Sequence, residues 1–179
     1  VFPVKLTAIS KAGCKDSVIK NVIVNPLPAT SFTANPVCWK SPLEFKNETQ
    51  IKTGAIQTYN WNLGDGTNSI DINPKKIYEK PGKYEVTLVA ISNKGCRKDT
   101  TKEVEVRTLP MANFTFQDVC VNAPASFTNN SILEGEYLNY FWSFGDTATS
   151  TVQDPVHSYI NAGKYAVRLT ASTDLGCKD

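Results

Sequence analysis

The sequence predicts an all-β protein made of tandem β-sandwich repeats, and three observations support this. Trp61-Asn62-Leu63-Gly64-Asp65-Gly66 returns, slightly altered, as Trp142-Ser143-Phe144-Gly145-Asp146-Thr147, 81 residues later. Short stretches of alternating apolar and polar residues are separated by turn residues about every 8–12 positions, which is typical of a β-sandwich. No amphipathic helical stretch of useful length interrupts them.

Other landmarks recur at nearly the same interval and set the expected boundaries. Leu27-Pro28 returns as Leu109-Pro110, 82 residues later. A regular period of this kind indicates a repeat architecture. We therefore expect residues 1–26 to be the final hairpin of a truncated upstream repeat, residues 27–108 to be a complete repeat, and residues 109–179 to be a repeat without its last strand.

Each strand of the complete repeat follows from alternation between turn signals. The expected strands are, in order, Ser31–Ala34, Pro42–Asn47, Tyr59–Leu63, Lys76–Tyr78, Tyr84–Ala90 and a closing strand that contains Val104 and Val106. Gly64-Asp65-Gly66 and Asn93-Lys94-Gly95 supply tight turns. The second repeat follows the same scheme, with Trp142 and Leu169 on inward faces, and reaches Asp179 before a closing strand.

Composition argues against several classes of function. The net charge is +2, from 19 basic and 17 acidic residues that are mixed along the chain, so no basic stripe indicates nucleic acid. No apolar run approaches the roughly 18 residues of a membrane span, so this segment is not expected to insert. His157 is the only histidine, and no nucleophile-elbow pattern occurs. We therefore predict no catalytic residues and no enzymatic activity.

The sequence predicts neither a zinc site nor a calcium site. The cysteines lack the clustered spacing of zinc ligands. Asp65 has Asp71 nearby and Asp146 has Asp154, which allows calcium as a weaker alternative, but calcium takes about six or more oxygen ligands. We expect Asp65 and Asp146 to cap their turns, and we predict no cofactor.

Aromatic residues are expected mainly in the core. Tyr59, Trp61 and Tyr84 alternate with polar residues, as do their counterparts in the second repeat, which fits core packing better than a sugar-binding platform. Trp39 differs because it follows Cys38 in a predicted loop. We interpret it as a residue at a junction between repeats, with a binding contact as the alternative.

The ordered motifs resemble those of the PKD (polycystic kidney disease) domain. They read WNLGDG, NP and IYEKPGKYEVTL in the first repeat, and WSFGDT, DP and HSYINAGKYAVRL in the second. The residues that carry the resemblance are Trp61, Gly64, Asp65, Gly66, Tyr78, Gly82, Tyr84, Trp142, Gly145, Asp146, His157, Tyr159, Gly163 and Tyr165. Ile77 is interpreted as replacing the usual histidine and Thr147 as replacing the last glycine, both at tolerant structural positions.

The resemblance implies an immunoglobulin-like sandwich that works outside the cell. The added cysteines resemble a bacterial subset found in very large gliding adhesins of the type IX secretion pathway in Bacteroidetes. The implied function is a stalk segment at the cell surface that extends a distal adhesive module and transmits force. Its implied partners are neighbouring repeats, together with outer-membrane secretion or motility components. The alternative is a carbohydrate- or protein-binding accessory module of a secreted hydrolase.

Five cysteines at repeat-locked positions indicate an oxidising compartment. We name the turn after the first strand of a repeat the opening turn (Cys38, Cys120), and the turn before the closing strand the closing turn (Cys14, Cys96, Cys177). In an immunoglobulin-like unit these turns lie at opposite ends, about 30 Å apart along a ten-residue strand, whereas a disulfide spans about 7 Å between Cα atoms.

This separation argues against a bond within each repeat and favours one across the junction, although a different joint angle or a displaced opening turn keeps both pairings open. One joins Cys38 to Cys177 across the junction and leaves Cys14, Cys96 and Cys120 to partners outside this sequence. The other joins Cys38 to Cys96 and Cys120 to Cys177, within each repeat. Separately, Ser17, Thr100 and Thr147 follow aspartates in a pattern that resembles the O-glycosylation sequence of Bacteroidetes.

Overall fold

The structure, a computed structural model, describes residues 1–135 and 137–179. These ranges contain β-strands and no helix, so the prediction of an all-β chain is confirmed. The strands are β1 (Phe2–Ile9), β2 (Lys15–Val22), β3 (Phe32–Thr33), β4 (Val37–Cys38), β5 (Leu43–Glu44), β6 (Lys46–Asn47), β7 (Ile56–Asn62), β8 (Asn68–Ser69), β9 (Lys75–Lys76), β10 (Gly82–Ser92), β11 (Arg97–Arg107), β12 (Phe114–Thr115), β13 (Pro124–Ser126), β14 (Thr128–Asn129), β15 (Asn139–Ser143), β16 (Thr149–Ser150), β17 (Val156–Ser158) and β18 (Arg168–Ser172).

The largest sheet has five strands in the order β4-β11-β10-β7-β8. Strand β10 pairs antiparallel with β7 from Thr87 opposite Asn62, and the register shifts at a bulge between Ile91 and Ser92. A three-stranded sheet has the order β16-β15-β18. The remaining strands form the pairs β1-β2, β3-β6, β5-β9, β12-β14 and β13-β17.

The chain folds into two compact units, each made of three segments. Unit one comprises Val1–Ala34, Glu44–Pro74 and Tyr84–Glu103. Unit two comprises Asn35–Leu43, Lys75–Lys83 and Val104–Asp179. Unit one also contains the antiparallel β1-β2 hairpin, whose register runs from Phe2 opposite Val22 to Ile9 opposite Lys15 and whose side chains are exposed.

The core of unit one is organised around Trp61, which is 1% exposed. Its ring lies 5.1 Å from Phe32 and 5.5 Å from Phe45, measured between centroids. The indole N–H donates to the Asp71 carbonyl at 2.9 Å, so the polar atom of the tryptophan is satisfied inside the apolar core. Val86, Leu88 and Ala90, on the inward face of β10, are also fully buried.

Unit two repeats this arrangement around Trp142, which is 0% exposed. The ring lies 5.1 Å from Phe114, and the indole N–H donates to the Val152 carbonyl at 2.9 Å. The buried cluster consists of Ala125, Phe127, Trp142, Phe144 and Leu169. Both tryptophans are therefore inaccessible to a sugar, and their pattern reflects packing.

The turn after each tryptophan strand needs glycine at its first position. Gly64 has φ 82° and Gly145 has φ 83°, in the left-handed region that L-residues rarely adopt. A Cβ on Gly64 would lie 2.7 Å from the Glu85 carbonyl oxygen, and one on Gly145 would lie 2.8 Å from the Ala166 nitrogen. Both glycines therefore allow close backbone approach as well as the turn.

The last position of the turn corrects our interpretation of Thr147 as a tolerant substitution. Thr147 has φ 78°, close to the 85° of Gly66 in the first repeat. A β-branched residue is strained there, because its Cβ approaches the backbone. Thr147 thus holds a conformation that suits glycine.

We expect Thr147→Gly to stabilise the protein by about 1 kcal/mol, since relief of a left-handed threonine outweighs the backbone entropy that glycine loses. The reverse change in the first repeat, Gly66→Thr, is the matched control. It should destabilise by a similar amount through backbone strain, because no atom lies within 4 Å of a Cβ at Gly66. Urea unfolding monitored by tryptophan fluorescence measures both; a change of the same sign in the two variants would contradict the explanation.

Candidate functional site

The closing turn of the second repeat presents Cys177 from a tightly hydrogen-bonded loop. Thr173 donates its backbone N–H to the Cys177 carbonyl at 2.8 Å, and Gly176 donates to the Thr173 carbonyl at 3.0 Å. The Thr173 hydroxyl accepts the Cys177 N–H at 3.2 Å. Gly176, at φ 85°, supplies the left-handed step that brings the chain back.

The opening turn of the first repeat holds Cys38 by the edge of a sheet. Val37 and Cys38 pair parallel with Val106 and Arg107. Ser41 donates its N–H to the Cys38 carbonyl at 3.0 Å, and the preceding Lys40 has φ 68°. The cysteine is therefore fixed at the end of the closing strand of its own repeat.

These two turns meet, and the structure contains a Cys38–Cys177 disulfide. The Cα atoms are 5.4 Å apart, and the bonded residues are separated by 139 positions in the sequence. Cys177 is 1% exposed. Of the two pairings that the sequence left open, the structure contains the one between consecutive repeats, and Cys14, Cys96 and Cys120 are free thiols.

Sequence reasoning missed the hydroxyl residue that shapes each closing turn. Ser92 and Thr173 are buried polar residues, 1% and 5% exposed. Each accepts a hydrogen bond from the cysteine N–H four residues later, at 3.2 Å in both turns. The signal was present, because a serine or threonine precedes Cys14, Cys96 and Cys177 by four residues every time.

His157 belongs to a structural cluster in the second repeat. Its Nε2 lies 2.7 Å from Asp146 Oδ2, and its ring stacks on Phe144 at 4.4 Å between centroids. Tyr159 lies edge-on to the imidazole at 4.6 Å and donates its hydroxyl to the Phe144 carbonyl. Asp146 also accepts the Ala148 N–H at 3.2 Å, so the carboxylate caps the turn and anchors the imidazole.

Two ionisable groups in this cluster are shifted from their ordinary behaviour. The hydrogen bond from His157 holds the pKa of Asp146 below its ordinary value of 3.8, although partial desolvation opposes this. Burial raises the pKa of Tyr159, and the neighbouring charge of Asp146 adds to the rise. A stacked, hydrogen-bonded His–Asp pair also resembles part of a hydrolytic triad, but the hydroxyl in this cluster, that of Tyr159, donates to a backbone carbonyl.

The first repeat shows that our interpretation of Ile77 was wrong. Ile77 is 58% exposed, whereas the residue two places before the buried Tyr78 is Lys76. Lys76 therefore takes the place that His157 has before Tyr159, and its Nζ lies 5.8 Å from the Tyr78 ring centroid. A cation beside the aromatic ring replaces the imidazole in this repeat.

The other motif residues support the turns and strands around them. Asp65 accepts the Thr67 N–H at 3.1 Å and the Thr67 hydroxyl at 2.6 Å, so it caps its turn as Asp146 does. The Tyr165 hydroxyl donates to the Asn161 carbonyl, and its ring stacks on Tyr159 at 4.1 Å. Gly82 has φ 148°, and Tyr84 is half-buried. A Cβ added to Gly163 would lie 3.7 Å from the Tyr165 ring.

The remaining candidate positions lie at the surface or partly buried. Trp39 donates its backbone N–H to Arg107 and its indole N–H to the Glu79 carbonyl at 3.0 Å, and Lys40 Nζ lies 4.8 Å from its ring. Ser17 is exposed in β2, Thr100 is partly exposed in β11, and Thr147 is exposed in its turn.

Within residues 1–135 and 137–179, no group of three or more histidine, cysteine, aspartate and glutamate residues could hold a metal ion. Over the same ranges, no helix is long and apolar enough to cross a membrane.

We expect Asp146→Asn to lower stability at neutral pH, because the asparagine keeps the acceptor for Ala148 but loses the charge that the imidazole N–H contacts. Since the folded pKa of Asp146 is lowered, its contribution is present above the ordinary value of 3.8 and is lost as pH falls through the folded pKa. The stability difference between variant and parent should therefore shrink in acid.

Urea unfolding at a series of pH values from about 7 to about 2 measures this difference. The matched control is Asp154→Asn, which alters an aspartate that accepts the Asn129 N–H at 2.8 Å. An equal pH dependence in the two variants would show that the imidazole contact is not its source.

Comparison with known proteins places this fold in a family. A family model described as the PKD domain matches residues 23–108 and again residues 107–179. Among solved structures, the PKD1 domain of Vibrio anguillarum Epp is 25% identical and covers 48% of this chain and 99% of that chain, with a TM-score of 0.43.

Curated relatives match over a short part of their length. Collagenase ColA of Bacillus cereus is 30% identical over 107 residues, which is 60% of this chain and 10% of the collagenase. Pre-pro-metalloprotease PrtV of Vibrio cholerae is 34% identical over 70 residues, which is 39% of this chain and 8% of the protease. The chain thus spans about a tenth or less of these relatives. Because the family model covers most of the chain in two copies, the chain belongs to the PKD domain family.

Proposed function

We propose that the chain is a stalk segment of a very large bacterial cell-surface adhesin of the gliding-motility type. Its role is to hold a distal adhesive module away from the cell and to transmit force. Neighbouring repeats are its main partners, and outer-membrane secretion or motility components are the partners expected at the ends of the array. The disulfide supports an oxidising, extracellular location.

The observation that carries this proposal is the bond between Cys38 and Cys177. A stalk has to resist tension along the chain, and noncovalent cores yield when strands are pulled apart. Tension that arrives through residues 1–38 crosses the sulfur–sulfur bond to Cys177 and leaves through Asp179. Trp61 and Trp142 lie between these two cysteines in the sequence, so the segment that contains them cannot be extended while the bond is intact.

We expect single-molecule pulling from the two termini to give a short extension in oxidising buffer and a much longer one after reduction. The bond shields 139 positions, which extend by about 450 Å at about 3.3 Å per residue. The difference in contour length between the two conditions is the measurement.

Cysteine variants provide matched controls. Cys38→Ser should give the long extension without reductant, whereas Cys120→Ser should behave as the parent, since Cys120 is a free thiol. Bonds within each repeat would instead leave the segment between Cys96 and Cys120 extensible in oxidising buffer, and that result would contradict the load path.

A second candidate function rests on the matched relatives. The chain is similar to parts of a collagenase and of a pre-pro-metalloprotease. The chain would then be an accessory module that binds a carbohydrate or a protein substrate for a secreted hydrolase. The half-buried Trp39 and the exposed Phe116, Tyr137 and Phe141 are among the aromatic residues available for such binding.

Binding assays distinguish the two functions. We expect the chain not to co-sediment with collagen fibrils or with insoluble polysaccharides such as cellulose and chitin, because its tryptophans Trp61 and Trp142 are buried. Saturable binding to one of these polymers that Trp39→Ala abolishes would favour the accessory module. The melting temperature of the variant, compared with the parent, controls for loss of structure.

A further inference from the structure

We propose that the free cysteines are halves of the same bond, repeated along an array. In this arrangement the opening-turn cysteine of each repeat bonds to the closing-turn cysteine of the next repeat. Cys96 would bond to the opening turn of a PKD repeat before residue 27, and Cys120 to the closing turn of a repeat after residue 179. This inference adds the covalent links between repeats to the proposed stalk. It rests on the proposed function in one respect, because it requires further repeats of this kind in the protein.

Closing turns of the same geometry occur three times. The backbone N–H of Ser10, Ser92 or Thr173 donates to the carbonyl of the cysteine four residues later, at 2.9, 2.9 and 2.8 Å. The hydroxyl of the same residue accepts the cysteine N–H at 3.2 Å in all three turns. Cys14 and Cys96 are therefore presented in the same local conformation as Cys177, which is bonded.

Opening turns of the same geometry occur twice. Ser41 donates its N–H to the Cys38 carbonyl at 3.0 Å, and Ala123 donates to the Cys120 carbonyl at 3.0 Å. The residue between them is left-handed in both turns, with φ 68° at Lys40 and φ 62° at Asn122. The turn after Cys120 thus has the same backbone hydrogen bond and left-handed residue as the turn after Cys38, whereas Cys120 itself lies outside any strand and is an exposed free thiol.

The surroundings of Cys96 mark the place of its missing partner. In the bonded pair, Cys38 lies in register with Arg107 at the end of the closing strand. The counterpart of Arg107 one period earlier is Asn25, 82 residues before it. Cys96 Sγ lies 4.0 Å from the Asn25 carbonyl oxygen. The thiol therefore lies next to the residue that, by the repeat period, an upstream opening-turn cysteine would face, although β2 itself ends at Val22.

The bond-forming step is an ordinary thiol–disulfide exchange. Two thiols lose two protons and two electrons in all, and one sulfur–sulfur bond forms. A disulfide oxidant accepts them, its own sulfur–sulfur bond breaks, and it leaves as two thiols. Glutathione disulfide serves as this oxidant in the test.

A tandem chain, residues 1–179 followed directly by residues 17–179, tests the proposal. The join keeps the repeat in register, because Gly13-Cys14-Lys15-Asp16 and Gly176-Cys177-Lys178-Asp179 are the same sequence. This chain has nine cysteines, since the second copy lacks Cys14. After oxidation with glutathione disulfide, we expect a bond between Cys120 of the first copy and Cys96 of the second.

Peptide mapping without reduction and a thiol count on the folded monomer give the readout. The proposal predicts three bonds and three free thiols, which are Cys14, Cys96 of the first copy and Cys120 of the second. Bonds within each repeat would leave only Cys14 free and would overturn the proposal. Bonds between separate chains, or five free thiols with Cys120 unpaired, would also overturn it.

Two variants keep the result interpretable. Cys120→Ser in the first copy should leave Cys96 of the second copy as a free thiol, whereas Cys120→Ser in the second copy should change no bond. The oxidation experiment applies no force, so it tests the series of bonds separately from the stalk. If the bond between Cys120 of the first copy and Cys96 of the second is absent, the series of bonds is overturned even if the pulling experiment supports a stalk. If the series of bonds forms but the chain binds collagen or cellulose, only the stalk function is overturned.

Discussion

The bond between Cys38 and Cys177 depends on two turns that each hold a sulfur atom in a fixed direction. One turn is tied to the end of a closing strand through the pairing of Cys38 with Arg107. The other is closed by the buried Thr173 hydroxyl and the left-handed Gly176. A disulfide tolerates little error in Cα separation, so loose turns could not form it reliably. The covalent link is therefore a product of ordinary hydrogen bonds in short loops.

The two cores are built in the same way. Trp61 and Trp142 each satisfy the indole N–H with a backbone carbonyl ten residues later, at 2.9 Å, and each packs against phenylalanines of neighbouring strands. In the turn after each tryptophan strand, the residue type at Gly64 and Gly145 is limited to glycine, because the neighbouring backbone lies too close for a Cβ. The repeats differ within the core, where Leu63 corresponds to Phe144, and also beside it, where His157 and Lys76 occupy equivalent places with different chemistry.

Periodicity made the fold class and the tryptophan cores predictable, because apolar alternation and turn residues act locally. The cysteine pairing was not predictable to the same degree, since sequence spacing does not report which turns meet in space. The equivalence of Ile77 and His157 fails because the motif tyrosines, Tyr78 and Tyr159, set the register one residue earlier, at Lys76. The strain at Thr147 depends on its φ, which the residue type does not reveal.

The cysteines also have a consequence for how such genes change. In the proposed series of bonds, an opening-turn and a closing-turn cysteine recur once per repeat, so recombination between two copies that removes or adds a whole period leaves each sulfur atom with an equivalent neighbour. An exchange that adds or removes part of a period would leave two thiols without partners and interrupt the series of bonds. Length can thus drift over generations in steps of one period without any compensating substitution.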